Sequence, residues 1–288
     1  MRMALSVLRN PKILLLYKRS SFLSIKGLPS SGCPTADRFR QNHIYHYESL
    51  RKIEHTLKAL RMTYRKHCRS RKVNYRAFDL VITVGGDGTF LEAARNLTTK
   101  QYILGVNSDP QWSVGQFCSC NANEFQKALQ RILGGSLRVK RLYRLRLTIS
   151  KQKTSMECLN DVLICHPNPA AMSRYHIQIG KTCEEHRSSG LWLSTASGST
   201  GAILSAGGKK MPLESKTLQY KPRELYQIPG QRYHLAGGMV LANKKLIVTS
   251  RMPHGNIFVD GAHIKFSFPY GTKAVISISP NYVNLLHV

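Results

Sequence analysis

An α/β domain with a parallel sheet, followed by a mostly-β domain, is the fold class the sequence predicts. Three observations carry it. The first 118 residues alternate short apolar runs with helical patterns; strands apolar on both faces and separated by helices belong to parallel sheets with helices packed on them. The period then changes after Gly135, where Tyr143, Leu145, Leu147 and Ile149 alternate with Arg144, Arg146 and Thr148, as in a half-buried strand. Finally, 288 residues suffice for two ordinary domains of roughly 100–200 residues each. The expected division is 1–118, an α/β domain, and 119–288, a β-rich domain.

In order along the chain, Ile13–Tyr17 reads as a buried first strand, too short for a signal-peptide core. About ten residues precede it, too few for an ordinary transit peptide, so the expected location is the cytoplasm. Between Ser20 and Gln41 the chain collects Gly27, Pro29, Gly32 and Pro34, the composition of a mobile loop. Glu48–Tyr64 is read as an amphipathic helix on the stripe Leu50, Ile53, Leu57, Leu60 and Tyr64. Leu80–Val84 is a strand, Phe90–Leu97 a helix and Tyr102–Val106 a third strand. A further helix has Asn123 as N-cap, Gln126 three residues on, a stripe at Phe125, Leu129, Ile132 and Leu133, and Gly134-Gly135 as terminator. That helix is expected to open the second domain. Further strands are read at Tyr175–Ile179, Leu191–Thr195, Leu246–Thr249, Ile264–Phe268 and Ala274–Ile278, with Lys209–Arg232 as a long irregular connection.

Charge and cysteines narrow the function classes. Lys and Arg (43) exceed Asp and Glu (15) by 28, which implies attraction to polyanions. From Met1 to Arg76 there are 18 basic and 3 acidic residues. Nucleic acid is therefore a rival partner, although basic residues interleaved with a helical stripe also describe a solvated face. The seven cysteines contain no Cys-x-x-Cys pair, which suits free thiols in a reducing compartment. Cys118-x-Cys120 and His43-x-x-His46 are the suggestive metal spacings, read as buried small side chains and a solvated helix face, so no protein-held metal is expected. No run reaches the ~20 apolar residues of a membrane span.

Gly85-Gly86-Asp87-Gly88-Thr89 follows the strand Leu80–Val84 and precedes a helical pattern. Its glycines let backbone N–H groups approach phosphate oxygens, and its carboxylate can meet a hydroxyl or a metal. Asp-Gly is also ordinary turn punctuation and Asp a good N-cap. Asn107 follows the third strand, at a carboxyl end where ligands of parallel sheets bind. Three more clusters stand out: Leu159-Asn160-Asp161, the small-residue segment Ser188–Gly208 and Val259-Asp260-Gly261. A dinucleotide-binding dehydrogenase is excluded at its signature, since Ile13–Tyr17 is followed by Lys18-Arg19-Ser20 and not by Gly-x-Gly-x-x-Gly.

GGDGT, then LND, then GST ending in SAGG, then VDG, in that order from about Leu80 to Gly261, resembles the NAD kinase family. GGDGT alone is shared with related lipid kinases; the combination is far more specific. The resemblance implies a fold like that of NAD and diacylglycerol kinases. It also implies ATP-dependent phosphorylation, with Mg²⁺ or another divalent cation, of the 2′-hydroxyl on the adenosine ribose of NAD or NADH. Asp87 would then be the catalytic carboxylate, and Gly85, Gly86, Gly88 and Thr89 would hold nucleotide phosphates. Asn160 and Asp161 would hold the adenosine portion of the dinucleotide; Ser197, Thr200 and Ser205 would line the same pocket, with a lesser role for Asn107. A homo-oligomer, dimer or tetramer, is implied as well. Ser189-Gly190-Leu191 replaces the usual Asp-Gly-Leu, and Thr200-Gly201-Ala202 the usual Thr-Ala-Tyr. Gly105–Pro110, together with Ser188-Ser189-Gly190-Leu191, looks closer to the plant NADH-preferring and mitochondrial-type branch. A lipid kinase and a basic nucleic-acid-binding protein are the alternatives.

Overall fold

The computed structural model describes residue 8 and residues 10–23, 33–136, 138–150 and 154–287. The chain divides into two compact units: residues 1–140 with 283–288, and residues 141–282.

The first unit is built on parallel strands. β1 (Ile13–Tyr17) pairs with β2 (Tyr64–Cys68) on one side and β3 (Leu80–Gly85) on the other, and β3 pairs with β4 (Tyr102–Asn107). β1, β3 and β4 are buried along almost their whole length, as their two-sided apolar sequences require. β4 also pairs in parallel with the short β5 (Cys120–Asn121) and, through Tyr102 and Ile103, with Asn284 and Leu285 near the end of the chain. Among the described residues, three α-helices accompany these strands: α1 (Pro34–Ala59), α2 (Asp87–Asn96) and α3 (Phe125–Leu133). Leu50, Ile53 and Leu57 of α1 join Phe125, Leu129 and Ile132 of α3 in one core cluster with Leu15, Ile82 and Leu104.

Several expectations need correction here. α1 begins at Pro34, not Glu48, because Pro is suited to the first helical position; the part of the expected loop at 24–32 lies outside the described residues. It ends at Ala59 because Arg61 turns the backbone into the left-handed region at φ 52°, and Tyr64 opens β2. α3 is not capped by Asn123: the Asn121 Oδ1 atom accepts the N–H groups of Asn123 and Glu124 at 2.9 and 3.2 Å. Nor does α3 open the second unit. Its apolar stripe is buried with Val106 and Leu286 in the first, and the division falls at 140/141 and not at 118/119.

The second unit is β-rich. β6 (Arg138–Ile149) enters it and pairs antiparallel with β7 (Thr154–Cys158). β8 (Asp161–Cys165), β9 (Ser173–Ile179), β10 (Thr182–Ser188) and β11 (Gly190–Ser194) follow, then the one-turn helix α4 (Ala202–Ser205). The last strands are β12 (Leu218–Arg223), β13 (Gly238–Val240), β14 (Leu246–Ser250), β15 (Asn256–Val259), β16 (Ile264–Ser267) and β17 (Lys273–His287). β9 pairs with β10 and β14, and β14 with the first part of β17, all antiparallel. A separate antiparallel sheet runs β13-β12-β11-β8-β15-β16. Leu147, Ile177, Val248 and Ile276 join Leu193, Val162, Ile257 and Leu218 in a single core cluster, so side chains from both sheets share one interior. The expected irregular connection Lys209–Arg232 therefore contains a strand, β12, whose Leu218 and Tyr220 are buried despite the Lys and Pro between them and Arg223. Among the described residues, no helix is long and apolar enough to cross a membrane.

Candidate active site

In the first unit the glycine turn lies between β3 and α2, with Gly86 as the N-cap and Asp87 in the first turn. A Cβ at Gly85 would stand 2.5 Å from the Thr89 Oγ1 atom, and one at Gly86 would stand 2.7 Å from the Ser113 Oγ atom. Gly85, at φ 158° and with the Thr89 Cβ atom also 3.1 Å from that point, therefore needs glycine, whereas at Gly86 the Ser113 hydroxyl would have to turn aside; Gly88 is exposed, leaving backbone accessible. Asp87 is half-buried; its Oδ1 atom accepts the Phe117 N–H at 3.0 Å, which orients the carboxylate. Phe117 stacks on Phe90 of α2 with ring centroids 5.0 Å apart, tying that N–H to the same helix. Cys118 donates to the Gly85 carbonyl; burial, with Asp87 nearby, pushes its thiol up to about 12. It is an inert packing group.

Asn107 is structural in its visible contacts. Its Nδ2 donates to the Ser113 carbonyl at 2.8 Å and its Oδ1 accepts the Asp109 N–H at 3.0 Å, so it shapes the loop that places Ser113 against Gly86. His46 is buried and not on a solvated face: its ring nitrogens bond Ser108 Oγ and the Lys18 carbonyl, both at 2.8 Å. The carbonyl can only accept, so Nε2 carries the proton and Nδ1 accepts from the serine. Burial is the main reason its pKa falls to about 4. Among the described residues no group of three or more His, Cys, Asp or Glu side chains converges as a metal cage.

In the second unit, Leu159-Asn160-Asp161 leads into β8, whose neighbours are β11 and β15. Ser194 of β11 stands opposite Asp161, and Asp260 follows β15 directly. The turn is held from three sides. Asp260 accepts the Asn160 N–H at 2.8 Å and the Leu159 N–H at 3.4 Å. Thr195 donates its N–H to the Asn160 carbonyl at 3.1 Å and its hydroxyl to the Leu159 carbonyl. Asn160 Nδ2 donates to Asp161 Oδ2 at 3.0 Å. Burial, with the Asp260 charge as the second cause, pushes the Asp161 carboxyl up to about 7.

Of the other residues expected here, Ser197 stands one position before Gly198, which packs against this cluster although the sequence reading did not single it out. A Cβ at Gly198 would stand 2.1 Å from the Asn160 carbonyl oxygen, and the Gly198 N–H donates to Thr195 Oγ1 at 3.2 Å. Ser197 is 2% exposed and its Oγ has no partner among the described residues. Thr200 is half-buried, one position before Gly201, where an added Cβ would lie 3.7 Å from Asp161 Oδ2. Ser205 is exposed at the end of α4, and no hydrogen bond joins it to Asn160 or Asp161. Asp260 is the residue whose role the motif reading did not assign. Its Val-Asp-Gly signal was visible, but its partners lie about a hundred residues away in sequence.

Residues 24–137 match the family model of the ATP-NAD kinase N-terminal domain. A protein from Oryza sativa subsp. japonica named probable NADH kinase is 35% identical over 220 residues, covering 69% of this chain and 68% of that one. A crystal structure of yeast NADH kinase complexed with NADH is similar with TM-score 0.73 at 15% identity, over 97% of this chain and 84% of the other. A crystal structure of an NAD kinase from Archaeoglobus fulgidus in complex with ATP gives TM-score 0.69 at 19% identity, over 95% and 92%. At such identities the two structures speak to the fold. The comparisons lend no support to a lipid kinase or a nucleic-acid-binding protein.

Proposed function

The chain belongs to the NAD kinase family and carries out ATP-dependent phosphorylation of NAD(H), and we propose that Asp87 is the base for the acceptor hydroxyl, the 2′-OH of the adenosine ribose. The observation that carries this reading is the Asp87 carboxylate, fixed by the Phe117 N–H inside a turn where Gly85, packed on Thr89, leaves no room for a side chain. A ribose hydroxyl is a weak nucleophile at neutral pH, and a carboxylate within hydrogen-bond reach supplies the proton acceptor. Phosphoryl transfer otherwise needs positioning and charge neutralisation. The N–H groups at the start of the ten-residue helix α2 suit phosphate oxygens, apart from that of Thr89, which donates to the Gly86 carbonyl at 3.0 Å.

Asn160 and Asp161 hold the adenosine portion of the dinucleotide in this reading, with Ser197 and Thr200 beside them and Ser205 and Asn107 as outer members. Asp161 near pH 7 can offer either a proton or a lone pair to a ribose or amine group. A divalent cation needs no all-protein cage here: Mg²⁺ keeps several waters and is held largely by the nucleotide phosphates, which leaves the Asp87 carboxylate for the acceptor hydroxyl. When bound it would neutralise phosphate charge. The rice relative named probable NADH kinase supports NADH as an acceptor. The reading includes a homo-oligomer, dimer or tetramer, and a cytoplasmic location, where the seven cysteine thiols stay reduced.

The test is incubation of the purified full chain with Mg-ATP and either NAD or NADH, following NADP or NADPH. Formation of either product is expected; a folded protein that makes neither overturns the reading.

A further inference from the structure

Three neighbouring strands end in step at the glycine turn. Tyr17 of β1 pairs with Cys68 of β2 and with Val84 of β3, so the next residues, Arg69, Lys18 and Gly85, form one row across the carboxyl edge of the sheet. Adjacent members of such a row are about 4.8 Å apart. Backbone bonds fix it: Arg69 N–H donates to the Tyr17 carbonyl at 2.8 Å and Lys18 N–H to the Val84 carbonyl at 3.3 Å.

Both side chains lean over the glycines. The Lys18 Cδ atom lies 3.6 Å from the point a Cβ at Gly85 would occupy, and Arg69 Nη1 lies 3.4 Å from the same point at Gly88. Two cations on one turn oppose each other. Burial first, and Arg69 as well, favour the neutral form of Lys18, while Asp109 opposes them. Arg69 also has Glu92 at 3.9 Å, a long and half-exposed pair that contributes little by itself. Beneath the turn the Thr89 hydroxyl is 1% exposed and its oxygen has no partner among the described residues. An unsatisfied buried hydroxyl, two converging cations and the N-terminus of a ten-residue helix all call for the same thing, an anion rich in oxygen acceptors.

We propose that Lys18 and Arg69 bind the phosphates of the nucleotide donor and position them over the Gly85–Thr89 turn. The proposal rests on the kinase reading above and adds the donor contacts that the glycine motif does not contain. Arg69 suits a bidentate grip on phosphate oxygens and Lys18 acts as a point charge. The structural rival is that Lys18 serves Asp109 and Arg69 serves Glu92.

Kinetics of the full chain decide between them, with ATP and NAD(H) varied separately in Lys18→Gln, Lys18→Arg, Arg69→Gln and the double variant Lys18→Gln/Asp109→Asn. Losing one charge-assisted contact is expected to raise the ATP KM about ten- to a hundredfold, with the NAD(H) KM nearly unchanged and Lys18→Arg largely restored. The double variant should stay defective for ATP. An unchanged ATP KM in both Gln variants, or recovery in the double variant, overturns the proposal while leaving the kinase reading intact. Thermal shift with inorganic tripolyphosphate gives a readout independent of turnover. The wild-type chain should be stabilised and the two Gln variants much less so; equal stabilisation of all three overturns the proposal even if no turnover is found.

Discussion

Asp161→Asn isolates a strongly perturbed carboxyl of the second unit. In the folded chain this group titrates near 7, against 3.8 for an ordinary Asp, because it is 6% exposed and faces Asp260. Between those two values the folded carboxyl keeps its proton while the unfolded one has released it. Stability is therefore fully present below pH 3.8, falls as pH rises toward 7, and levels off above. A shift of roughly three units corresponds to about 4 kcal/mol over that window. His46 works in the opposite direction: its pKa is lowered from 6.5 to about 4, so its contribution is present above 6.5 and is lost as pH falls through 4, by about 3 kcal/mol. The wild-type pH profile mixes both, whereas the difference between wild type and Asp161→Asn cancels His46. The Asn side chain keeps an oxygen to accept the Asn160 Nδ2 donor, so the turn stays tied. Urea unfolding from pH 4 to pH 8 should show the variant gaining on wild type by an amount of order 4 kcal/mol across the window. Parallel profiles for the two proteins between pH 5 and 7 would refute the argument.

Three further outcomes follow from the same geometry. Gly198→Ala forces a methyl group onto the Asn160 carbonyl oxygen, 2.1 Å away. It should lower stability by about 1–3 kcal/mol or more and abolish dinucleotide binding, read by melting temperature and titration calorimetry with NAD. His46→Ala leaves Ser108 and the Lys18 carbonyl without their buried partner. A loss of about 1–3 kcal/mol is expected at neutral pH, and its absence in denaturant melts would show the imidazole to be dispensable. With a net charge of +28, kcat/KM for the anionic substrates should fall as ionic strength rises while kcat changes little; a kcat that falls in parallel would rule out simple steering.

Periodicity made the centre of each unit legible. Ile13–Tyr17, Leu80–Gly85 and Tyr102–Asn107 are apolar on both faces and are buried strands of the first unit. Phe125, Leu129 and Ile132 repeat at helical spacing and are buried. Polar edge strands gave no such signal: β2 reads YRKHC and β10 TCEEHRS, where only one face needs burial. The first half of α1 was obscured by Pro34 and the Ser/Gly-rich stretch before it, and by polar residues whose buried members are Ala36 and His46. The end of α1 was equally obscure, since Arg61 adopts the left-handed conformation without being glycine. At the candidate site, the residue types of the glycine turn and of Asn160-Asp161 were readable locally because their chemistry sits in consecutive positions. Phe117 on Asp87, Asp260 on Asn160, and Arg69 beside Lys18 were not, because each pairing spans from 30 to 100 residues and exists only through strand register.

Asp87 is the proposed proton acceptor in phosphoryl transfer to NAD(H). Single-turnover formation of NADP or NADPH from Mg-ATP by Asp87→Asn measures this directly, with substrate binding followed separately. The predicted result is a rate lower by about 10²–10⁴ with nucleotide and dinucleotide still bound; transfer at the wild-type rate would contradict it.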